Sequence, residues 1–208
     1  MKSIDKKLAI AALAVLVSSC ASMSEEECMV ADWHALGFED GAAGQQIAQL
    51  SRRRQACAEH GVRPDTEAYR AGRSEGLRLY CTEQRGFRLG RAGGGYSGVC
   101  PANLEEQFMP AYQAGRDIFL AQQAVNQVAN AIDKSHAERE HLLDDITGMS
   151  AELIDDETTA EERITLLTDI KRAQERRGAL KAEIRDLEQE LTLREAEFHQ
   201  VELSSPYR

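Results

Sequence analysis

Aromatic residues make up 5% of this 208-residue chain, with one tryptophan, and proline occurs four times. Rings are too few to build the core alone, and a proline-rich spacer is excluded. Alternating runs of β-branched residues are missing, which argues against a sheet and for a mainly α fold. Lysine is absent between Lys7 and Lys134, yet the chain is not short of cations, because 19 of its 25 basic residues are arginine. Equally absent are a nucleophile elbow, an HExxH pair and paired carboxylates framed by glycine, so no catalytic residue is assigned and an enzyme is not expected. No cofactor or metal is expected either.

The one long apolar run is residues 8–17, and it sits at the N-terminus behind Lys2, Lys6 and Lys7. It closes in Leu16-Val17-Ser18-Ser19-Cys20, a lipobox: a positive start, an apolar stretch and small residues before a cysteine. About ten apolar residues fall short of the roughly 20 that a spanning helix needs, so residues 1–19 are read as a signal peptide and Cys20 as the acylated first residue. Acyl chains at Cys20 tie the protein to a membrane, since each buried methylene contributes about 0.8 kcal/mol and two or more chains hold stably. Ala21 and Ser22 follow, without the aspartate that retains lipoproteins at an inner membrane. The expected location is the outer membrane, on its periplasmic face.

Charge divides the remainder. Residues 29–116 carry 10 acidic and 11 basic side chains, whereas residues 117–208 carry 21 acidic and 11 basic. A net change from +1 to −10 suggests two regions with different work. The acidic total and the export signal both argue against nucleic acid as a partner. The expected organisation is a lipidated tether over 20–27, a Gly/Cys-rich helical domain over 28–120 and a helical hairpin over 121–208.

Within the domain, glycines recur behind aromatic residues, in DWHALGFEDG, EAYRAGRSEG, GFRLGRAGG and PAYQAGRD. Aligned, these place Gly37, Gly72, Gly90 and Gly115 in one column and Gly41, Gly76 and Gly94 four residues on. Tyr69, Phe87 and Tyr112 then stand three before the first glycine. Positions i, i+3 and i+7 share a helix face, and glycine there lets two backbones approach. Each such glycine costs about 1 kcal/mol of helix propensity, which only close packing can offset. A phosphate cradle at Gly93-Gly94-Gly95 lacks the strand it would need. Asp65 is placed to cap a helix over 66–80, Gly61 to end one near His60, and Asn103 with Glu106 to form a capping box.

Cys20 set aside, Cys28, Cys57, Cys81 and Cys100 are an even number in an oxidising compartment, and two disulfides are expected. Four cysteines allow three pairings; nearest-neighbour pairing, Cys28 with Cys57 and Cys81 with Cys100, is preferred. A zinc site using Cys57 and His60 is the rival, without a second CxxC to support it. In this order, the lipobox, EECMVADWHALGFEDGAAG, QACAEHGVRPD, YRAGRSEGLRLYC, GFRLGRAGGGYSGVCP and AYQAGRD resemble an uncharacterised family of small bacterial lipoproteins carrying a domain of unknown function. The resemblance covers about residues 20–120. It implies an exported, disulfide-bearing module and brings no activity with it.

From Asn103 the chain reads as a long helix through Pro110. A heptad series runs from Val125 to Leu153, another from Ile170 to Val201, and between them Thr159 and Glu162 form a capping box. The pattern predicts an antiparallel coiled-coil hairpin that turns between Leu153 and Glu161. Arg139 and Arg177 fall on seam positions, where a buried cation requires a partner that could fix register or else marks the wet end of the seam. The expected role is structural or protein-binding, with an envelope protein or a second copy meeting the hairpin. The alternative is an enzyme or small-ligand binder acting on cell-wall or envelope material, using Asp32, His34, Glu39 and Asp40 near Trp33; an arginine cluster (Arg52, Arg53, Arg54, Arg63, Arg70, Arg73, Arg78) could dock anionic envelope polymers or the acidic hairpin of the same chain.

Overall fold

The structure, a computed structural model, describes residues 23–207; the expected signal peptide and acylation site, residues 1–19 and Cys20, lie outside them. Seven helices and, among the described residues, no strand make the mainly α fold that the composition predicts. They are α1 (Glu25–Val30), α2 (Trp33–Ala42), α3 (Ala48–Glu59), α4 (Thr66–Tyr80), α5 (Glu83–Arg91), α6 (Ala102–Leu153) and α7 (Ala160–Ser204). No helix among the described residues is long and apolar enough to cross a membrane.

The helix boundaries follow local chemistry. Asp65 caps α4 by accepting from the backbone N–H of Glu67 and Ala68, and Gly61, at φ +73°, follows the end of α3. Two expectations differ from what is found. Residues 20–27 are not all tether, because Ser24 and Glu27 form a reciprocal capping box that starts α1 at Glu25; those bonds hold the Glu27 carboxyl below its usual range. The Asn103/Glu106 box does not form. The helix starts two residues earlier, at Ala102, with the Pro101 carbonyl accepting from Leu104 and Glu105, so Asn103 already lies inside the first turn. Proline fixes the backbone angle that a helix entry needs.

The chain divides into two compact units that do not follow the cut at residue 120. Unit one takes the described residues up to Arg85 together with Tyr96–Phe108, and unit two takes Gly86–Gly95 and the chain from Met109 onward. Most of α5 thus belongs with the hairpin.

Unit one is held by two disulfides, Cys28 to Cys57 with Cα atoms 5.5 Å apart and Cys81 to Cys100 at 5.7 Å. This is the nearest-neighbour pairing, and it leaves Cys57 no thiolate for zinc. Closing loops of this length contributes about 3 kcal/mol each on the chain-entropy account. The first bridge lies in a core with Trp33, Leu50 and Tyr69. Beside the second, Phe108 contacts the rings of Tyr80 and Tyr96 at 5.7 and 4.8 Å. The Tyr96 hydroxyl accepts from the Cys100 N–H and donates to Glu105.

Unit two is built on α6 and α7, which run antiparallel. Both heptad series are buried or half-buried along the seam, with Val128, Ser135, Leu180 and Ile184 least exposed. The turn falls where the polar break predicts. The capping box of Thr159 and Glu162 opens α7, and the Arg163 guanidinium donates to the carbonyls of Leu153, Asp155 and Thr158. The seam arginines do not supply the ion pair: Arg177 keeps a buried Nε without an acceptor. The neighbouring Arg176 bridges instead, 2.7 and 3.1 Å from the Glu138 carboxylate.

Candidate functional site

Glycine brings α2 against α4 in unit one. A Cβ on Gly37 would collide with the Tyr69 carbonyl oxygen, and one on Gly72 with that of His34. One turn on, Gly41 meets the Arg73 carbonyl and Gly76 that of Phe38. The rule is reciprocal: each glycine lies against the carbonyl three residues before its partner glycine. In unit two the same rule joins α5 to α6, where Gly90 faces the Tyr112 carbonyl and Gly115 faces that of Phe87. The column of residues three before the first glycine is thus a set of carbonyls. The contact at the glycine is made by the backbone and not by the ring, so His34 serves in the same column.

The two crossings correspond in detail, but four residues out of the register read from sequence. After Gly41, Gly44 ends α2 at φ +70°, and its N–H donates to the Gly41 carbonyl while that of Gln45 donates to Asp40. After Gly90, Gly93 ends α5 at φ +74°, with matching bonds from Gly93 to Gly90 and from Gly94 to Leu89. The ring of Tyr80 covers Gly44 and that of Phe119 covers Gly93, each ring four residues beyond its glycine, Gly76 or Gly115. Arg73 donates to the Gln45 carbonyl and Tyr112 to the Gly94 carbonyl, again equivalent positions. Gly90 therefore matches Gly41, not Gly37, and Gly94 is a turn residue outside the packing face. A signal for this lies in the sequence, since GFEDGAAG at 37–44 and GFRLGRAG at 86–93 agree at Gly, Phe, Gly, Ala and Gly.

Against the α2/α4 crossing stands a polar cluster that spacing alone does not reveal. Asp40 is buried on α2; its Oδ1 and Oδ2 accept from Arg53 Nη2 and Nε of α3 at 2.8 and 3.0 Å, and Oδ2 also accepts from the Tyr69 hydroxyl of α4 at 2.5 Å. Burial, and then the Asp40 carboxylate, push the Tyr69 hydroxyl far above its ordinary value. The bond to Asp40 raises Arg53 as well. Three helices are pinned at one carboxylate, and every group in the cluster has its partner. Such an arrangement clamps; it offers neither a free base nor an activated nucleophile.

The other members of that proposed site separate. Asp32 is the N-cap of α2 and accepts from Ala35, while His34 Nε2 lies 3.3 Å from Glu75 on the exposed side. The arginine cluster disperses too. Arg53 is held by Asp40, Arg52 bonds Gln49, and Arg73 reaches Gln45. Arg54 and Arg63 line a groove of about 700 Å³ between α3 and the start of α4, and Arg70 and Arg73 line a separate one with Ile47 and Val99. No group of three or more His, Cys, Asp or Glu residues fit to hold a metal occurs among the described residues.

The remaining candidate is the hairpin itself. Its flanks are charged and paired within the chain: Arg172 with Asp169, Lys171 with Glu175, Arg194 with Glu190 and Glu197. The end of α7 returns to α5, where Tyr207 lies 6.1 Å from the Phe87 ring and Glu202 accepts from Arg91 at 3.0 Å.

Compared with known proteins, residues 32–117 match the profile of a family described as a protein of unknown function (DUF2799). The match begins at the α2 N-cap and ends two residues beyond Gly115, so it spans both glycine crossings and leaves out most of the hairpin. No curated protein and no solved structure matches the chain.

Proposed function

We propose that the protein is an envelope lipoprotein, acylated at Cys20 and held at the periplasmic face of an outer membrane, that acts through protein contact rather than catalysis. The observation that carries this reading is the lipobox followed, within five residues of Cys20, by a folded unit with two disulfides. Disulfides persist where the compartment is oxidising, which agrees with export. The hairpin, with its apolar seam closed and its flanks polar, is suited to contact with another envelope protein or a second copy. The polar cluster, its groups all partnered, favours this reading over an enzyme acting on wall material.

Replacing Cys20 with serine tests the anchor. Fatty-acid label is expected on the parent and not on Cys20→Ser, and membrane flotation should follow the label. Equal labelling of both would refute acylation at Cys20.

A further inference from the structure

The closed end of the hairpin differs from its flanks in charge, and exposed apolar side chains stand among its acidic ones. Residues 144–163 hold eight acidic side chains and one basic, Arg163. That guanidinium is spent on three loop carbonyls. Asp145 has His141 at 2.9 Å, but Asp144, Glu152, Asp156, Glu157 and Glu161 have no cation beside them, whereas residues 169–197 carry seven basic side chains against eight acidic ones, several of them paired.

Amid these carboxylates Ile154, Ile164 and Leu167 are 79, 68 and 55% exposed. Ile164 and Leu167, three apart on α7, share one stripe, and Ile154 stands at the turn. The loop is not loose. Besides the Arg163 bonds, Thr158 Oγ1 donates to the Glu152 carbonyl at 2.7 Å and Asp155 Oδ1 accepts from the Glu157 N–H. A surface fixed in advance loses little freedom on binding.

We propose that this end of the hairpin is a docking surface for a protein that presents lysine or arginine side chains around an apolar pocket. Uncompensated carboxylates would steer a cationic surface in and repel an anionic one, while Ile154 and its neighbours supply the buried centre that such contacts need. A second copy is disfavoured, because it would set acid against acid, and so is an anionic lipid surface. The inference rests on the protein-contact reading above and gives it a place and a partner chemistry.

Its test uses the full-length protein in intact cells with a photoreactive amino acid at Ile154, and in a second variant at Glu188, an exposed position on the α7 flank. Adducts from Ile154 are expected on protein segments of net positive charge. Asp156→Lys with Glu157→Lys, whose carboxylates accept no bond in the loop, should lower their yield at least tenfold with helix content unchanged by circular dichroism. Adducts to lipid, to a second copy or to acidic segments, or a yield unmoved by charge reversal, would overturn the proposal. Adducts at Glu188 without any at Ile154 would overturn it and leave the protein-contact reading standing; none at either position would remove both.

Discussion

The α2/α4 and α5/α6 crossings share a reciprocal glycine-to-carbonyl contact, a left-handed glycine at the end of the first helix and a ring over that glycine, yet their surroundings differ. Unit one surrounds its crossing with covalent and charged restraints: both disulfides, and Asp40 between Arg53 and Tyr69. Unit two adds a long seam of half-buried aliphatics and the returning end of α7. At positions that correspond, Ile118 is 2% exposed and Leu79 61%. The backbone device is common, and what stabilises it is local: a small core is stapled, whereas a helix extended into a hairpin buries its own apolar face.

The largest expected effect removes what is peculiar to unit one. Asp40→Ala leaves the half-buried Arg53 charge and the Tyr69 hydroxyl without their acceptor, and should cost about 3 kcal/mol. Urea unfolding of the oxidised protein measures it. Arg53→Met and Tyr69→Phe together with Asp40→Leu should recover much of the loss, since a buried polar cluster replaced whole by apolar groups is often neutral. No recovery would show that the cluster does more than hold three helices.

Next comes the device both units share. Gly41→Ala and Gly90→Ala each drive a methyl into a carbonyl of the facing helix, and overpacking of this kind costs about 1–3 kcal/mol. If the crossings are equivalent the two losses should be similar, and Gly94→Ala, outside the packing face, should cost less than either. A larger loss at Gly94 than at Gly90 would restore the register in which Gly94 aligns with Gly41. Thermal unfolding of the three variants decides between them.

A third difference is in pH. Tyr69 and Tyr96, both in unit one, have hydroxyls raised by burial. A group raised in the folded state contributes stability that is complete below its unfolded value, about 10 for tyrosine. That stability is lost as pH rises further, at no more than about 1.4 kcal/mol per pH unit for each group. Unit one should therefore weaken above about pH 10, and Tyr69→Phe should flatten that decline. An unchanged alkaline limb in Tyr69→Phe would show that its hydroxyl does not titrate with unfolding.

What the sequence made legible was local. Asp65, Gly61 and the Thr159/Glu162 box act on residues two to four away, and the heptads repeat often enough to fix a seam and its turn. The glycine columns showed which residues pack but not what they pack against, because alignment of similar segments finds equivalence and not partnership. Tyr-x-Ala-Gly-Arg at 69–73 and 112–116 even aligned α4 with α6 four residues out, whereas the turn glycines at 44 and 93 carry the true register. Asp40 was legible only in part: standing three after Gly37 and seven after Trp33 it falls on the packing face, unlike Glu39, but its partners Arg53 and Tyr69 reach it from 13 and 29 residues away. Of the two readings of Arg177, the register-fixing pair is not found; the neighbouring Arg176 crosses to Glu138 from the rim of the seam.

The smallest effect has the opposite sign, and it separates glycine as a contact from glycine as a residue type. Gly178 lies inside α7 with nothing within 4 Å of where a Cβ would stand. Alanine there restricts the unfolded chain and meets no neighbour, so Gly178→Ala should stabilise the protein by about 0.5–1 kcal/mol. Gly148, equally open within α6, should behave alike. The substitution that weakens the molecule at Gly41 and Gly90 would then strengthen it at Gly178, although all four glycines are helical. Because the two sites in the hairpin are far apart in sequence and share no contact, their gains should add in Gly148→Ala with Gly178→Ala, raising the unfolding midpoint by the sum of the two single shifts. A loss at Gly178 as large as that at Gly41 would mean that the exposed glycines also admit a close approach, and the distinction between crossing and hairpin would fail at the residue meant to mark it.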